Sequence, residues 1–311
     1  MLRLGKDGWQ AVISEEFTFD NVRKIATAVA VYLINNDLVK KPVVVGYDAR
    51  FLSDKAAETV IKVMQEAGRS FFLVDRDVPL PVIEWEIKDR GAACALMVTG
   101  GGQPAQYSGL KLLPGPDLAK KKNIKDIDRY LYLSALTTMA NNPDPDQLAY
   151  LSGLSQLSKN NLAKSRLERF DPRERYSKYA GAQVDKNAIG KARLKVVVDP
   201  MFGSGRSYLD RLLQQLGCQV EEIRNYRDVL FGGGVPDPAE ANLAELKTKV
   251  AENQADLGFA LSGDAGDFAV ITGGGQYFPS AHFAQWQEAG SLLACLRIVE
   301  LAARKGLKAL A

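Results

Sequence analysis

Short, continuous apolar segments alternate with segments of helical periodicity along the first third of the chain, and this alternation constrains the fold more than any other feature. The segments 43–45, 71–74 and 93–98 are apolar throughout, which is typical of strands covered on both faces of a sheet. Between them, residues 19–33 carry apolar side chains on one helical face, with Asp20 as the expected N-cap. The pattern predicts α/β layering with a mainly parallel sheet.

The same plan of strand, glycine-containing turn and helix returns in the second half of the chain, beginning with the apolar run at 194–199. We therefore expect a duplicated α/β unit, with one domain at residues 1–150 and a second at 193–279. The segment 151–192 between them is polar and has only partial helical periodicity. This composition is typical of a linker or helical connection.

Residues 280–311 have the pattern of one long terminal helix. Its apolar stripe consists of Trp286, Leu293, Leu296 and Val299. Such a stripe has to be covered, because large exposed apolar patches are rare on monomers. The helix either folds back on residues 190–275 or pairs with another protein chain, such as a second copy. Association through residues 280–305 is favoured, because the second domain is expected to carry its own helices on both faces of its sheet.

The composition excludes several classes of protein. His282 is the only histidine among the 311 residues, which excludes multi-His metal sites and Ser-His-Asp triads with an upstream histidine. The three cysteines lie far apart without a CxxC pair, so neither disulfides nor a zinc site are expected. A net charge of +3 does not indicate a nucleic-acid partner. The sequence has neither a membrane-spanning apolar stretch nor a signal peptide, so a cytoplasmic protein is expected.

Four loops follow strands in positions that bring them to one edge of the predicted sheets. They comprise residues 5–10, 99–104, 107–111 and 262–267. Open α/β sheets hold their functional sites at the carboxyl ends of the strands. We therefore expect these loops to form the functional site.

The order and spacing of these loops resemble the α-D-phosphohexomutase family, the phosphoglucomutases and phosphomannomutases of the bacterial type. The V-G-Y-D-x-R motif of that family is complete at residues 45–50, and its V-D-P-M-x-G-x-G-R motif is complete at 198–206. Further matches lie at residues 5–10, 79–82, 99–104, 107–111, 230–233 and 262–267. The resemblance implies two consecutive phosphohexomutase-type α/β sandwich domains with mostly parallel sheets, followed by a C-terminal helix left from a third domain.

The resemblance also implies a chemistry in which a phosphoserine passes its phosphoryl group to a bound hexose phosphate. In this chain the phosphoserine position is Gly101, which has no hydroxyl group. Gly102 and Gln103 replace the histidine and asparagine that follow the serine in the family motif. In the opening loop, Lys6 and Gln10 replace threonine and arginine. The nucleophile and its neighbours have therefore changed together.

The family's metal loop has changed as well. The resemblance implies that three aspartates and the phosphoserine hold Mg²⁺, but Ser262 and Gly266 stand at two of these positions and leave Asp264 alone. Mg²⁺ prefers several oxygen ligands in octahedral geometry, so we expect no bound metal and no other cofactor. The arginine that closes the loop in the family is Asp267 here, which reverses a charge that would face the phosphate.

Two of the retained motif residues, Lys111 and Arg50, are candidates for anion binding, and each has two interpretations. Lys111 matches the active-site lysine, so it either retains contact with an anion or is simply solvated. Arg50 either contributes to residual anion binding or forms a structural pair with Asp48 that braces the loop. Residues 99–102 either cradle a phosphate through backbone N–H groups or form a mobile loop.

Two hypotheses for function follow. The first is a non-catalytic phosphohexomutase-like protein, a pseudoenzyme that acts by binding as a scaffold, a regulatory subunit or a partner of another protein chain. The second is a phosphoglucomutase or phosphomannomutase of carbohydrate metabolism whose missing parts come from another chain or segment. The first is favoured because the changed residues are those that the chemistry needs, whereas turn and packing residues are retained. Binding of hexose phosphate is then expected to be weak or absent.

Overall fold

The structure contains two mixed sheets with helices on both faces, which confirms the α/β architecture and the presence of two α/β units. The computed structural model describes residues 2–5, 8–38, 40–68, 70–120, 124–136, 145–159 and 165–310. Among these residues, no helix is both long and apolar enough to cross a membrane.

The first sheet has six strands. These are β1 (Trp9–Val12), β2 (Val43–Tyr47), β3 (Phe71–Val74), β4 (Cys94–Val98), β5 (Tyr107–Pro114) and β6 (Leu167–Phe170). They lie in the order β1-β5-β4-β2-β3-β6. Strands β4, β2, β3 and β6 run parallel, whereas β5 and β1 are antiparallel at one edge. Its helices are α1 (Phe19–Asn35), α2 (Ser53–Glu66), α3 (Leu80–Arg90), α4 (Pro116–Lys120), α5 (Ile124–Leu136) and α6 (Pro145–Lys159).

The alternation of side chains along β2 divides its valines between two cores. Val43 and Val45 pack with α1, α2 and α5 on one face of the sheet. Val44 belongs to a second core, which contains α3 and continues into the second domain. Because both faces are covered, the strand is a continuous apolar run in the sequence.

Helix α1 is capped by Thr18 rather than by Asp20, so the predicted N-cap is wrong. The Thr18 hydroxyl accepts a hydrogen bond from the backbone N–H of Asn21 at 3.2 Å. Thr18 has the extended backbone that an N-cap requires. Asp20 lies within the first turn and pairs with Lys24 at 3.0 Å.

Strand β6 lies in the segment that we expected to be a linker, and it extends the first sheet beyond the predicted boundary at residue 150. It pairs with β3 in parallel, with Leu167 opposite Phe71. Its sequence, LERF, is mostly exposed, so the apolar pattern that reveals the inner strands is absent. The Arg90 guanidinium covers the rings of Phe72 and Phe170 at 3.8 and 4.1 Å and holds the edge strand in place.

The second sheet has five strands in a similar arrangement. These are β7 (Lys195–Asp199), β8 (Gln219–Glu222), β9 (Leu257–Leu261), β10 (Phe268–Thr272) and β11 (Tyr277–Pro279). They lie in the order β11-β10-β9-β7-β8, with β9, β7 and β8 parallel. The helices of this half are α7 (Arg173–Gly181), α8 (Lys186–Ala192), α9 (Leu209–Gln215), α10 (Ala244–Glu252), α11 (Ala284–Gln287) and α12 (Ser291–Lys305).

The terminal segment differs from its prediction in two ways. It is not one helix, because a 3₁₀ turn and α11 precede a break at Gly290, where φ is +84° and a Cβ would lie only 2.7 Å from Pro81. Leu293, Leu296 and Val299 are at most 4% exposed, since α12 packs on α8 and α9 of its own chain. These three side chains are therefore covered within the chain, as in the first of the two expected outcomes, and association through residues 280–305 remains a prediction. Helix α12 shares one apolar core with α8, α9 and the inner strands of the second sheet.

Candidate functional site

The predicted loops meet in an interdomain pocket of about 330 Å³. Residues of the first domain that line it include Gln10, Gly101, Gly102, Gln103 and Lys111, and those of the second include Asp237, Ser262, Asp264, Gly266 and Asp267. The two halves are joined at this point by a backbone hydrogen bond from Leu80 to Asp264, 2.8 Å long. Of the opening loop, Gln10 reaches the pocket, whereas Lys6 lies outside the described residues.

The two glycines at the centre of the first loop have different requirements. A Cβ on Gly100 would lie 2.5 Å from Nε of Arg50 and 2.9 Å from the carbonyl of Tyr107, so only glycine fits. A Cβ on Gly101 would meet nothing closer than 3.8 Å, where Gln10 lies, and its φ is +59°. Position 101 therefore has room for a side chain, and the missing serine is not explained by crowding.

Arg50 is fully buried beneath this loop and uses all five of its N–H groups inside the protein. Its Nε donates to Asp48 at 3.0 Å. Its terminal nitrogens donate to the carbonyl oxygens of Gly101, Gln103, Pro104 and Tyr107 at 2.7–3.0 Å. The guanidinium therefore braces the loop and has no donor left for an anion. The loop is held at several points along its length, which does not agree with the expectation of a mobile segment.

Asp48 completes this brace. Its carboxylate also accepts hydrogen bonds from the Ser53 hydroxyl at 2.8 Å and from the backbone N–H of Gly100 at 3.1 Å. Burial raises the pKa of Asp48, and the positive charge of Arg50 opposes this rise. The guanidinium therefore supplies the counter-charge to the buried carboxylate at 3.0 Å.

Asp264 is also surrounded by partners from its own chain. Its carboxylate accepts hydrogen bonds from the Thr99 hydroxyl at 3.0 Å, from the Ser262 hydroxyl at 3.2 Å and from the backbone N–H of Gly266 at 2.9 Å. Nζ of Lys111 lies 3.7 Å from Oδ2 of the same carboxylate. Both domains thus contribute to neutralising one buried charge, because Thr99 and Lys111 come from the first domain.

These residues do not fit a Mg²⁺ ion. The Ser262 hydroxyl, which would replace one carboxylate ligand, already donates to Asp264 and accepts from the backbone N–H of Asp267. Within the described part of the chain, no group of three or more histidine, cysteine or acidic side chains is placed to hold a metal. Asp264 alone offers too few oxygen ligands for octahedral coordination.

Sequence reasoning missed one residue that lines the pocket, Asp237, and one contact beside the pocket, between Thr99 and Asp264. Asp237 lies beside Gly102, since a Cβ on that glycine would approach Cβ of Asp237 to 3.5 Å. The only signal in the sequence is the turn-forming run of Pro236, Asp237 and Pro238. Thr99 was recognised as part of the loop, but its contact with Asp264 links residues far apart in the sequence and has no local signal.

Two adjacent α/β/α domains with a loop site at their junction define the class to which this protein belongs. The family model described as phosphoglucomutase/phosphomannomutase, alpha/beta/alpha domain I, matches residues 1–130. The model for domain II of the same family matches residues 174–275. The chain is therefore a member of the α-D-phosphohexomutase family.

Individual relatives agree with this assignment. A "Probable phosphoglucosamine mutase" of Methanosphaera stadtmanae is 30% identical over 263 residues, covering 84% of this chain and 52% of the relative. A phosphoglucomutase/phosphomannomutase of Thermococcus kodakarensis is 28% identical over 274 residues, covering 88% and 56%. The chain thus spans about half the length of these curated relatives. The solved structure of a phosphoglucomutase/phosphomannomutase family protein from Burkholderia thailandensis shares the fold, with a TM-score of 0.73, 20% identity and coverage of 98% of this chain and 78% of that one.

Proposed function

We propose that this chain is a non-catalytic phosphohexomutase-like protein that acts by binding another protein chain, as a scaffold or a regulatory subunit. The observation that carries the proposal is the composition of the interdomain pocket. Position 101 has no hydroxyl. Of the three metal-ligand positions, Asp264 alone keeps an acidic side chain, and Lys111 of the same chain neutralises it. The alternative is a hexose-phosphate mutase that another chain or segment completes.

Among the residues that the structure describes, no hydroxyl at this pocket is free to replace the nucleophile. Thr99 is fully buried; its hydroxyl accepts from the backbone N–H of Gly101 at 2.8 Å and donates to Asp264. Ser262 is 3% exposed and is occupied in the same manner. A nucleophile needs an accessible oxygen and an activating base. Neither hydroxyl meets the first condition.

The charge of the pocket also opposes a phosphate ester. Three carboxylates line it, those of Asp237, Asp264 and Asp267, against the single amino group of Lys111. With Asp264 paired to that lysine, the remaining pair of carboxylates repels an approaching phosphate dianion. This repulsion supports weak or absent binding of hexose phosphate in the interdomain pocket. It also weakens the interpretation of Lys111 as a free anion contact.

Part of the apolar stripe still lines an open surface that a partner chain can contact. The side of the terminal segment that is still open is a groove between α7 and α11–α12, lined by Tyr179, Trp286 and Leu293 among others. Within our proposal, this groove is where residues 280–305 meet another protein. Cys94, Cys218 and Cys295 are buried thiols outside any disulfide, and burial raises the pKa of Cys218 to about 11. Buried, reduced thiols agree with the reducing cytoplasm in which we place the protein.

The first test concerns the metal. We expect the melting temperature to be unchanged by about 10 mM Mg²⁺ at constant ionic strength, because an ion that binds the folded state well below that concentration would stabilise it by about 2–3 kcal/mol. The Lys111→Met variant should melt at a lower temperature than wild type, since Asp264 then loses its counter-charge, by about 1 kcal/mol in free energy.

The matched control is Lys191→Met, which removes an exposed lysine of α8 and should leave the melting temperature unchanged. Differential scanning calorimetry of the three proteins with and without Mg²⁺ provides the data. A saturable, Mg²⁺-dependent rise of the wild-type melting temperature would contradict the proposal, because it would show that a metal site persists beside Asp264.

A further inference from the structure

A second pocket lies outside the interdomain pocket, between α7 and α9. We call it the β6 pocket. It has a volume of about 540 Å³, within the range of small-molecule sites. The residues that matter for its chemistry are Asp171, Arg173, Ser177, Tyr208, Arg211 and Gln215.

The place of the β6 pocket in the fold is one where α/β proteins bind ligands. Asp171 directly follows β6, and the backbone N–H of Asp75, directly after β3, donates to the carbonyl of Phe170 at 3.0 Å. The pocket therefore includes the residue at the carboxyl end of β6, which runs parallel to β3. Ligands of open sheets bind at this edge.

The pocket has an excess of positive charge. Arg173 is paired with Asp171 at 2.5 Å, and Lys178 with Glu174 at 2.9 Å. Arg211 lines the same pocket and has no ion-pair partner among the residues that the structure describes. Burial raises the pKa of Asp171, but the hydrogen bonds and charge of Arg173, and to a smaller extent the charge of Arg76, lower it overall. One guanidinium on the wall is thus left without a counter-ion, in a positive field.

Uncharged donors complete the lining. Tyr208 is 4% exposed, and its hydroxyl has no hydrogen-bond partner among the described residues. A buried polar group without a partner requires a specific explanation, because burying it unpaired is unfavourable. The side-chain oxygen of Gln215 accepts from the Ser177 hydroxyl at 2.8 Å, which fixes the amide and leaves its NH₂ group as a donor. The pocket therefore offers donors and an unpaired cation to a ligand rich in acceptor atoms.

We propose that the β6 pocket binds a small phosphomonoester, with Arg211 as the principal charged contact and Tyr208 as a hydroxyl donor. A phosphate group supplies the negative counter-charge for Arg211, and it has enough acceptor oxygens for several donors. A pocket of this size suits a small molecule rather than a membrane surface or a nucleic acid. The proposal does not depend on the state of the interdomain pocket.

The test is isothermal titration of the full chain with inorganic phosphate and with glucose 6-phosphate at constant ionic strength. We expect saturable binding of glucose 6-phosphate to the wild type and at least about a ten-fold weaker affinity in Arg211→Gln, which removes one charge-assisted contact. Tyr208→Phe should also weaken binding, although it preserves the packing of the ring. Equal affinities for the two probes identify the phosphate group alone as the ligand.

Two controls distinguish the sites. Lys191→Gln, on α8 outside the pocket, and Lys111→Met, in the interdomain pocket, should both bind as the wild type does. Binding that is lost in Lys111→Met but kept in Arg211→Gln would overturn the inference, since the ligand would then occupy the interdomain pocket. The absence of saturable binding by both probes would overturn it as well, while leaving the proposal of a non-catalytic protein untouched.

Discussion

Replacing Arg50 with methionine should lower the free energy of unfolding by about 3–5 kcal/mol, because it leaves a buried charge without its partner. Asp48 and Arg50 are both fully buried and 3.0 Å apart. The substitution also removes the donors of four carbonyl oxygens in residues 101–107. Those carbonyls would remain in a space that water does not easily reach. The loss should therefore exceed that of almost any surface substitution.

Urea denaturation of purified variants measures this effect. Arg23→Met is the matched control, because Arg23 makes only an exposed pair with Asp20, and its loss should cost less than about 1 kcal/mol. The double variant Asp48→Asn, Arg50→Met should recover part of the stability, since no unpaired charge remains. A loss for Arg50→Met as small as that of the control would show that Arg50 does not brace the loop.

Restoring the nucleophile alone should not restore catalysis. The Gly101→Ser variant has room for its side chain, since the nearest atoms are 3.8 and 3.9 Å from the new Cβ. The φ of +59° costs a serine about 1–2 kcal/mol, which a stable domain tolerates. Without a metal site, nothing in the pocket neutralises the charge that develops during phosphoryl transfer. Turnover should remain at background, and mass spectrometry should find no phosphoserine at position 101.

The comparison is the triple variant Gly101→Ser, Ser262→Asp, Gly266→Asp. It restores the acidic residues beside Asp264, and its melting temperature should become dependent on Mg²⁺, whereas that of Gly101→Ser should not. A carboxylate at position 266 must displace its surroundings slightly, because its Cβ would lie 3.0 Å from Asp264 and from Leu80. Appreciable mutase activity in the single variant would show that the rest of the pocket is far more intact than its geometry indicates.

The features that the sequence predicted well are those encoded by local patterns. The valines of β2 are apolar on both faces, and such a run identifies a strand between two helical layers. The turn residues of the family motifs placed the loops at residues 99–104 and 262–267 on one edge, where the structure has them. Comparison with the family motifs, position by position, was enough to identify Gly101 as a replacement and Asp264 as a retained residue.

The features that it missed depend on tertiary contacts. Strand β6 is an exposed edge strand without an apolar pattern, and it is held by β3 and by Arg90. The break at Gly290 arises where that glycine meets Pro81 of the other domain. The partners of Arg50 are mostly carbonyl oxygens, which every residue has, so no side-chain pattern reveals them. The β6 pocket combines residues from both halves of the chain and has no motif.

We propose that this family member does not carry out the family's reaction, and the turnover of the wild-type protein is the most direct test. Purified protein is incubated with glucose 1-phosphate, Mg²⁺ and the 1,6-bisphosphate activator, and the formation of glucose 6-phosphate is followed. We predict a rate indistinguishable from that of a blank without protein, because position 101 has no hydroxyl and Asp264 is committed to Thr99 and Lys111. A turnover on the order of 1–10³ per second, as is typical of enzymes, would contradict the claim.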